Sequence, residues 1–548
     1  LANEITLGIL LSSSTLYFSS HSPYSLVVDR QINRNIDLAK SKNPMSTGNG
    51  SPVIVIGAGI GGLATAARLA RAGHLVEIHE ASGVTGGKCR TEWINGYAFD
   101  TGPSLLTLPA VYKDFFLKTG KRLEHVLKLE AVNPSFDYYF ADGKNVKFEN
   151  LSHNKTVESI RKSLGQDAAD SYHALIERAD QMWEASRSDF VERELSSLMT
   201  LLKQPSSLRK MKTIAPLTSL RKVTRRYTQS PHIQKIMDRY ATYTGSDPRK
   251  VPAVLLTIAF VEETFGAWHI QGGIGQLSAA LEARCRELGV AIHLNSSVAE
   301  ILHNGKNVTG VRLNSGDVIS TSCVVANADA AHVYHSLIPH RPRITRKPRR
   351  ALDKATPSLS GFSLLLGLRP DPHAQRLSHH SVFFPDDYDD EFDAIFQRKE
   401  PVPDPAIYIC APHDAKMVTV AGSENWFVLV NAPRHEPEHG CDWNAPGLKE
   451  RYAEQIISTL ESYGLTIRDR LDVMEIRTPA DLESRTLAPG GSIYGTSSNG
   501  ARAAFLRAKN RSPLQGLYCV GGSAHPGGGL PLVGISSEIV ADAIGKAH

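Results

Sequence analysis

The sequence predicts an α/β fold, a Rossmann-type domain assembled from separated stretches of chain with an α+β domain interleaved between them. Three observations point there. The apolar run Val53-Ile54-Val55-Ile56 leads directly into a glycine turn and an apolar-periodic helix; a strand and helix pattern of the same kind returns over residues 272–330; and a third Gly-rich turn feeds a helix near the C-terminus.

At 548 residues the chain exceeds what one hydrophobic core organises, so two or more structural units are expected. Apolar residues make up 41% and charged residues 21%, an ordinary globular balance that excludes collagenous and disordered classes. A net charge of +5 is too small to argue for nucleic acid. The cysteines (Cys89, Cys285, Cys323, Cys410, Cys441, Cys519) form no C-x-x-C pair, so they read as scattered thiols of a reducing, cytoplasmic setting rather than a disulfide framework or zinc site. Residues 1–44 read as a dispensable extension or an upstream-start artefact, with a targeting tail as the alternative: Ile5 to Ser19 is broken by Ser12, Ser13 and Ser14 and comes after Glu4 rather than a positive start.

Each element of the first unit has a reason. Four consecutive apolar residues suit a strand buried on both faces of a parallel sheet. In Gly57-Ala58-Gly59-Ile60-Gly61-Gly62, Gly57 permits the tight turn, Gly59 lets the backbone approach a pyrophosphate, and Gly62 allows the helix to pack on the strand. The helix carries Leu63, Ala66, Ala67, Leu69 and Ala70 and ends at Gly73. Leu75 to His79 is the second strand, and Glu80 stands where an acid holds a ribose hydroxyl. Strand, glycines, helix, strand and acid within one ~30-residue unit make a dinucleotide site, and the acid favours FAD or NAD over NADP.

The next two segments separate FAD from NAD. Gly86-Gly87-Lys88-Cys89-Arg90 and then Phe99-Asp100-Thr101-Gly102-Pro103-Ser104 resemble the amine oxidase and phytoene desaturase superfamily of flavoproteins, in which a G-G-(K/R) turn and a D-x-G-P segment line the FAD. The resemblance implies that Gly87, Lys88, Gly102, Pro103 and Ser104 border the cofactor, with Lys88 or Arg90 near its phosphates or ring; a solvated loop lysine is the plain alternative for Lys88. No second nucleotide fingerprint occurs downstream, which points to quinone or O2, rather than a pyridine nucleotide, as the electron acceptor.

Gly272-Gly273-Ile274 leads into a helix through Leu277, Leu281 and Leu288, capped by Gly289; Ala291 to Leu294 is a strand, and a hairpin runs from Val308 to Ser320 before Cys323-Val324-Val325-Ala326. By the resemblance Val298 brackets the adenine through its backbone, although a valine in a strand also suits a core. Leu517-Tyr518-Cys519-Val520 is a buried strand. Gly521-Gly522-Ser523-Ala524-His525-Pro526-Gly527-Gly528-Gly529-Leu530-Pro531 then precedes a helix from Val533 to Ile544. A Gly-rich turn at a helix start directs N–H groups at an anion, so Gly522, Gly529, Leu530 and Pro531 are candidate cofactor contacts.

The H-P-G-G-G-x-P string is similar to the C-terminal box of bacterial and fungal-type phytoene desaturases. So are Gly245-Ser246-Asp247-Pro248, Phe265 to Gly273, His379-His380-Ser381-Val382-Phe383-Phe384, Tyr408 to Pro412 and Gly491 to Gly495. The likeness covers about residues 52–548, while Gly534-Ile535-Ser536-Ser537-Glu538 is more polar than the family pattern. It implies removal of two hydrogens from a C–C bond beside a polyene, with a carotenoid isomerase, a terminal-methyl oxidase or an amine oxidase as alternatives. It also implies an apolar polyene substrate and peripheral membrane association. His525 is the candidate for proton handling, or else it shapes its turn. No metal site is expected: neighbours on a strand point to opposite faces, so His379 and His380 read as structural.

Two basic stretches bear on partners. Lys203, Arg209, Lys210, Lys212, Arg221, Lys222, Arg225 and Arg226 interleave with apolar residues at near-helical spacing, with no acid among them, as on a helix lying on anionic lipid or on an ordinary solvated helix. Arg341 to Arg350 reads as a basic loop. The expected organisation is an extension at 1–51, FAD-binding parts at 52–115, 256–330 and 501–548, a helical substrate and membrane part at 116–255, and a substrate-domain sheet at 331–500.

Overall fold

The computed structural model describes residues 50–187, 191–194, 212–500, 503 and 507–547. The extension over residues 1–44 and the basic residues Lys203, Arg209 and Lys210 lie outside them.

A five-stranded, all-parallel sheet runs in the order Leu517–Cys519, Val324–Ala326, Val53–Ile56, Val76–His79, Ala291–His293. Its strands come from three distant parts of the chain. Both faces are covered, which explains the unbroken apolar run at residues 53–56. Val53 and Val55 pack with Leu63, Ala66, Leu277 and Val540 from the helices Ile60–Arg71, Gly275–Glu287 and Leu530–Ile544. Ile54 and Ile56 meet Val298, Ile301 and Val311 of an antiparallel three-stranded sheet on the other side. The last helix begins at Leu530, three residues before the expected Val533, because Gly529 is its N-cap and Pro531 fits its first turn.

The second sheet has seven strands in the order Leu471–Arg477, Ser360–Leu368, Glu424–Ala432, Ile407–Cys410, His380–Phe384, Phe136–Phe140, Asn145–Phe148. Phe136–Phe140 and Asn145–Phe148 fall in the stretch expected to be helical; alternating aromatics bury Phe136, Tyr138 and Phe140 on one face, against the helix Gln166–Ser186, and Tyr139 on the other. The basic run Arg341 to Arg350, expected as a loop, enters the helix Arg346–Lys354, whose apolar anchor is the buried Leu352. Nor is the first basic stretch uniformly exposed. Ser219 caps the helix Leu220–Tyr227, Arg221 turns inward to Asp238 (2.8 Å) and Asp389, and Lys222, Arg225 and Arg226 face solvent.

Glu391 illustrates the electrostatics of the sheet domain. It is fully buried, accepting from the Ala406 N–H and Asn431 Nδ2 (each 2.8 Å), and burial raises its pKa to about 7. A raised folded-state value contributes stability that is fully present below the unfolded value near 4.5 and is lost as pH rises through about 7, on the order of 3 kcal/mol by pH 8. Glu391→Gln, with the Asn431 amide turned over to accept, is therefore expected to gain thermal stability relative to the parent as pH climbs from 6 to 8. A melting-temperature difference that stays flat over that range would contradict this reading.

Candidate cofactor site and the buried network beside it

The glycine turn is shaped by Asn327, which comes directly after the strand Val324–Ala326. Its Nδ2 donates to the Gly57 carbonyl (3.3 Å), and its amide occupies the space that side chains at Gly59 and Gly61 would need: an added Cβ would lie 2.8 Å from Asn327 Nδ2 and 2.7 Å from Asn327 Oδ1 respectively. Gly57 has φ +92°, and a Cβ on Gly62 would stand 2.1 Å from the Gly57 carbonyl oxygen. The helix Ile60–Arg71 starts at Gly59 with no side-chain cap, leaving first-turn N–H groups available to an anion. Ile60 enters the core cluster, so its backbone rather than its side chain is on offer.

Around this turn the other expected segments converge. Glu80 Oε2 accepts from the Ala58 N–H (2.7 Å), and Oε1 accepts from the N–H and Oγ of Ser82 (2.9 and 2.8 Å), which fixes the carboxylate at the end of the second strand. Gly86 bridges to Gly59, and Gly87 lies so close that its Cβ would meet Gly59 Cα at 3.2 Å. The Lys88 carbonyl stands where a Gly102 Cβ would go, at 1.8 Å, which brings Gly102-Pro103-Ser104 against the same turn. Lys88 is not solvated; its Nζ donates to the carbonyls of Ser492 (3.2 Å) and Ile493 (2.8 Å). From the C-terminal box, Gly521 lies beside Gly61, Gly522 is linked through its carbonyl to the buried Arg507 (2.8 Å), and the Leu530 carbonyl accepts from Tyr112 (2.7 Å). Among the described residues nothing lies within 4 Å of a Cβ built on Gly529, the uncapped start of the last helix, where Pro531 occupies the first turn. Val298 is in the strand Val298–His303, buried in the second-face cluster.

Burial lowers the pKa of Lys88, and that of Arg507 to about 10, and Asp329 is the acid that opposes the shift in both. Two desolvated cations share one carboxylate beside two uncapped helix starts. The cradle therefore fits an anionic dinucleotide, with uncapped helix starts at Gly59 and Gly529 and two buried cations close to the glycine turns. Asn327, Asp329 and Arg507 pack against the glycine turns, and the sequence pattern does not single them out. Asn327-Ala328-Asp329 directly after an apolar strand is the available signal for the first two.

The polar residues that depart from the family pattern are consumed locally: Ser536 Oγ donates to the His525 carbonyl (2.8 Å) and accepts from the Gly521 N–H, and Glu538 pairs with Arg68 and Lys118. His525 Nε2 donates to the Arg193 carbonyl (2.8 Å), and burial lowers the imidazole to about pKa 4, so the ring is neutral and tethered.

Beyond Ser104 lies a network that sequence reasoning misses. Ser104 Oγ and Tyr408 OH are 2.7 Å apart, and Tyr408 OH is 2.8 Å from His380 Nδ1. The guanidinium of Arg239, buried, stacks over Phe136 (4.7 Å), Tyr243 (5.1 Å), Tyr408 (5.8 Å) and Tyr138 (6.0 Å) and donates to Tyr243 OH (3.1 Å). Tyr240 and Tyr243 both donate to the buried Glu262 (2.8 Å each), whose pKa burial raises. Among the described residues no carboxylate reaches Arg239 within salt-bridge distance. His379 and His380 do not separate to opposite faces as expected. His379 precedes the strand His380–Phe384, the two rings sit 4.4 Å apart, and Cys410 is the cross-strand partner of His380, so a third candidate ligand is present. Burial and neighbouring charge hold His380 near pKa 3.

Known proteins share this architecture. The family model described as flavin containing amine oxidoreductase matches residues 60–385. The chain is 31% identical to a 4,4'-diapolycopene oxygenase of Methylomonas sp over 91% of this chain and 99% of that one, and 31% identical to a zeta-carotene-forming phytoene desaturase of Myxococcus xanthus over 90% and 93%. Its fold superposes on a putrescine oxidase variant with a TM-score of 0.61, 14% identity, and coverage of 90% and 98%.

Proposed function

The chain belongs to the flavin containing amine oxidoreductase family, in its carotenoid desaturase branch, and from that premise we propose that it is an FAD-dependent desaturase removing hydride plus proton from a C–C bond adjacent to a polyene. The observation that carries this reading is a likeness to carotenoid enzymes across nine-tenths of the chain, joined to a cofactor segment whose Ser104 touches a buried aromatic set rather than a polar substrate pocket. When bound, FAD supplies the two-electron acceptor for the hydride. Gly57, Gly59, Gly61 and Gly62 would hold its diphosphate, Glu80 its ribose, and Lys88 and Arg507 the neighbouring negative charge.

The remaining tasks fall to the chain. Phe136 and Tyr138 are buried against Arg239, and the partly exposed Tyr243 and Tyr408 beside them are our assignment for the aromatic wall along which an extended polyene would lie. The hydrogen-bonded run Ser104, Tyr408, His380 is our assignment for fixing the position of Ser104 beside the cofactor segment, and the proton released with the hydride would pass to a base or bound water. We assign His525 to shaping the turn, since its Nε2 proton is committed to Arg193. Quinone or O2 would reoxidise the cofactor. Among the described residues no helix is long and apolar enough to cross a membrane. A peripheral contact is supported by Leu217, 89% exposed, close in sequence to the exposed Lys222, Arg225 and Arg226.

The test is anaerobic incubation of FAD-loaded protein in liposomes with phytoene, neurosporene and a hydroxylated carotenoid, monitoring flavin absorbance and product mass. Desaturation predicts flavin bleaching with a red-shifted product two mass units lighter. A mass-neutral product with oxidised flavin would mean isomerisation, added oxygen under air would mean terminal oxidation, and no response to any substrate would overturn the carotenoid reading while leaving the flavoprotein intact.

A further inference from the structure

A second cluster lies on the parallel sheet, outside the cofactor cradle and the aromatic network. Glu77 and His79 sit two apart on the strand Val76–His79 and so project from one face, and His293 is the register partner of His79 on the short edge strand Ala291–His293. Their ligand-capable atoms lie within 4.8 Å of one another. Glu77 Oε2 is 3.7 Å from His79 Nε2 and 3.9 Å from His293 Nε2, both beyond hydrogen-bond length. His79 is 4% exposed, and among the described residues its buried Nε2 has no hydrogen-bond partner. Such an orphan calls for an explanation, an ion being one. The other ring nitrogen, Nδ1, is already fixed by Ser296 Oγ at 2.8 Å, which aims Nε2 at the cluster as supporting hydrogen bonds do for metal-binding histidines.

We propose that Glu77, His79 and His293 form a divalent cation site of the zinc class, two imidazole nitrogens and one carboxylate oxygen, that ties the edge strand Ala291–His293 to the strand ending just before Glu80. Zinc bonds of about 2.0–2.1 Å in a tetrahedron place ligand atoms roughly 3.4 Å apart, so the Glu77 distances need to close by only a few tenths of an ångström. The two imidazoles stack with their ring centroids 4.8 Å apart. Three protein ligands leave a position for water. An edge strand of three residues has little pairing of its own, and a metal bond across it would hold the turn that presents Glu80.

The test uses the FAD-loaded full chain, stripped with a chelator and titrated with Zn2+ against a competing indicator. One equivalent is expected to bind, with affinity reduced at least 10-fold in His293→Ala and in Glu77→Gln, and about 10-fold in Ser296→Ala. His293 is half exposed, so its removal leaves the core intact, and flavin content measured alongside verifies folding. Cys410→Ala, in the His379-His380-Cys410 cluster, should bind zinc as the parent does. No stoichiometric zinc, zinc unaffected by His293→Ala, or zinc lost in Cys410→Ala would each overturn the proposal.

Discussion

Gly62→Ala is expected to yield a folded, colourless protein, with flavin affinity down more than about 100-fold. The added methyl would sit 2.1 Å from the Gly57 carbonyl oxygen and 3.2 Å from Asn327 Cβ, and neither neighbour is a flexible chain end. Relief requires moving the Gly57 turn or the first turn of the helix Ile60–Arg71, the two backbone segments that would cradle the diphosphate, and misplacing several charge-assisted hydrogen bonds of about 1.5–3 kcal/mol each accounts for the factor. Gly83→Ala is the matched control: it meets nothing nearer than 3.4 Å, and it should stay yellow. Wild-type flavin stoichiometry in Gly62→Ala after gel filtration would refute the cradle.

Arg239→Met should retain flavin and lose turnover. Its guanidinium holds four aromatic rings in place and links through Tyr243 to Glu262, and none of these residues belongs to the flavin cradle. Loss of desolvated cation–π contacts of about 2 kcal/mol, together with a hydrogen bond to a charged donor, predicts roughly 100-fold or more slower flavin bleaching by substrate and a melting temperature several degrees lower. Because Arg239 also depresses His380, the variant should show a less acidic His380 in NMR titration. Unchanged bleaching kinetics would remove Arg239 from the site, whatever the melting temperature does.

The cofactor half of the molecule is legible in the sequence because its requirements are local. A strand buried on two faces must be apolar throughout, a turn pressed by Asn327 must be glycine, and an acid at a strand end keeps its spacing wherever the rest of the chain goes. Positions 57, 59, 62, 80 and 102 carry those requirements in their own identities. The substrate half is less so. Phe136 to Phe148 is a local hairpin, yet it merges with a helical stretch when read alone, since the strand that ties it into the larger sheet, His380–Phe384, lies some 240 residues away. Arg239 reads in isolation as one more surface cation; only the folding of Phe136, Tyr138, Tyr243 and Tyr408 around it gives it meaning. His379 and His380 mislead for a related reason, because the rule of alternating faces holds inside a strand and His379 lies just before one.

The order of strands in the parallel sheet has a consequence for synthesis. Val324–Ala326 lies between Val53–Ile56, which precedes it by some 270 residues, and Leu517–Cys519, which follows it by some 190. A nascent chain that has emerged as far as Val324–Ala326 thus carries it as an unpaired edge of three apolar residues until Leu517–Cys519 has left the ribosome as well. A message broken before residue 517 would produce a sticky half-sheet rather than a smaller enzyme, and translation must pass Leu517–Cys519 before the cradle can close.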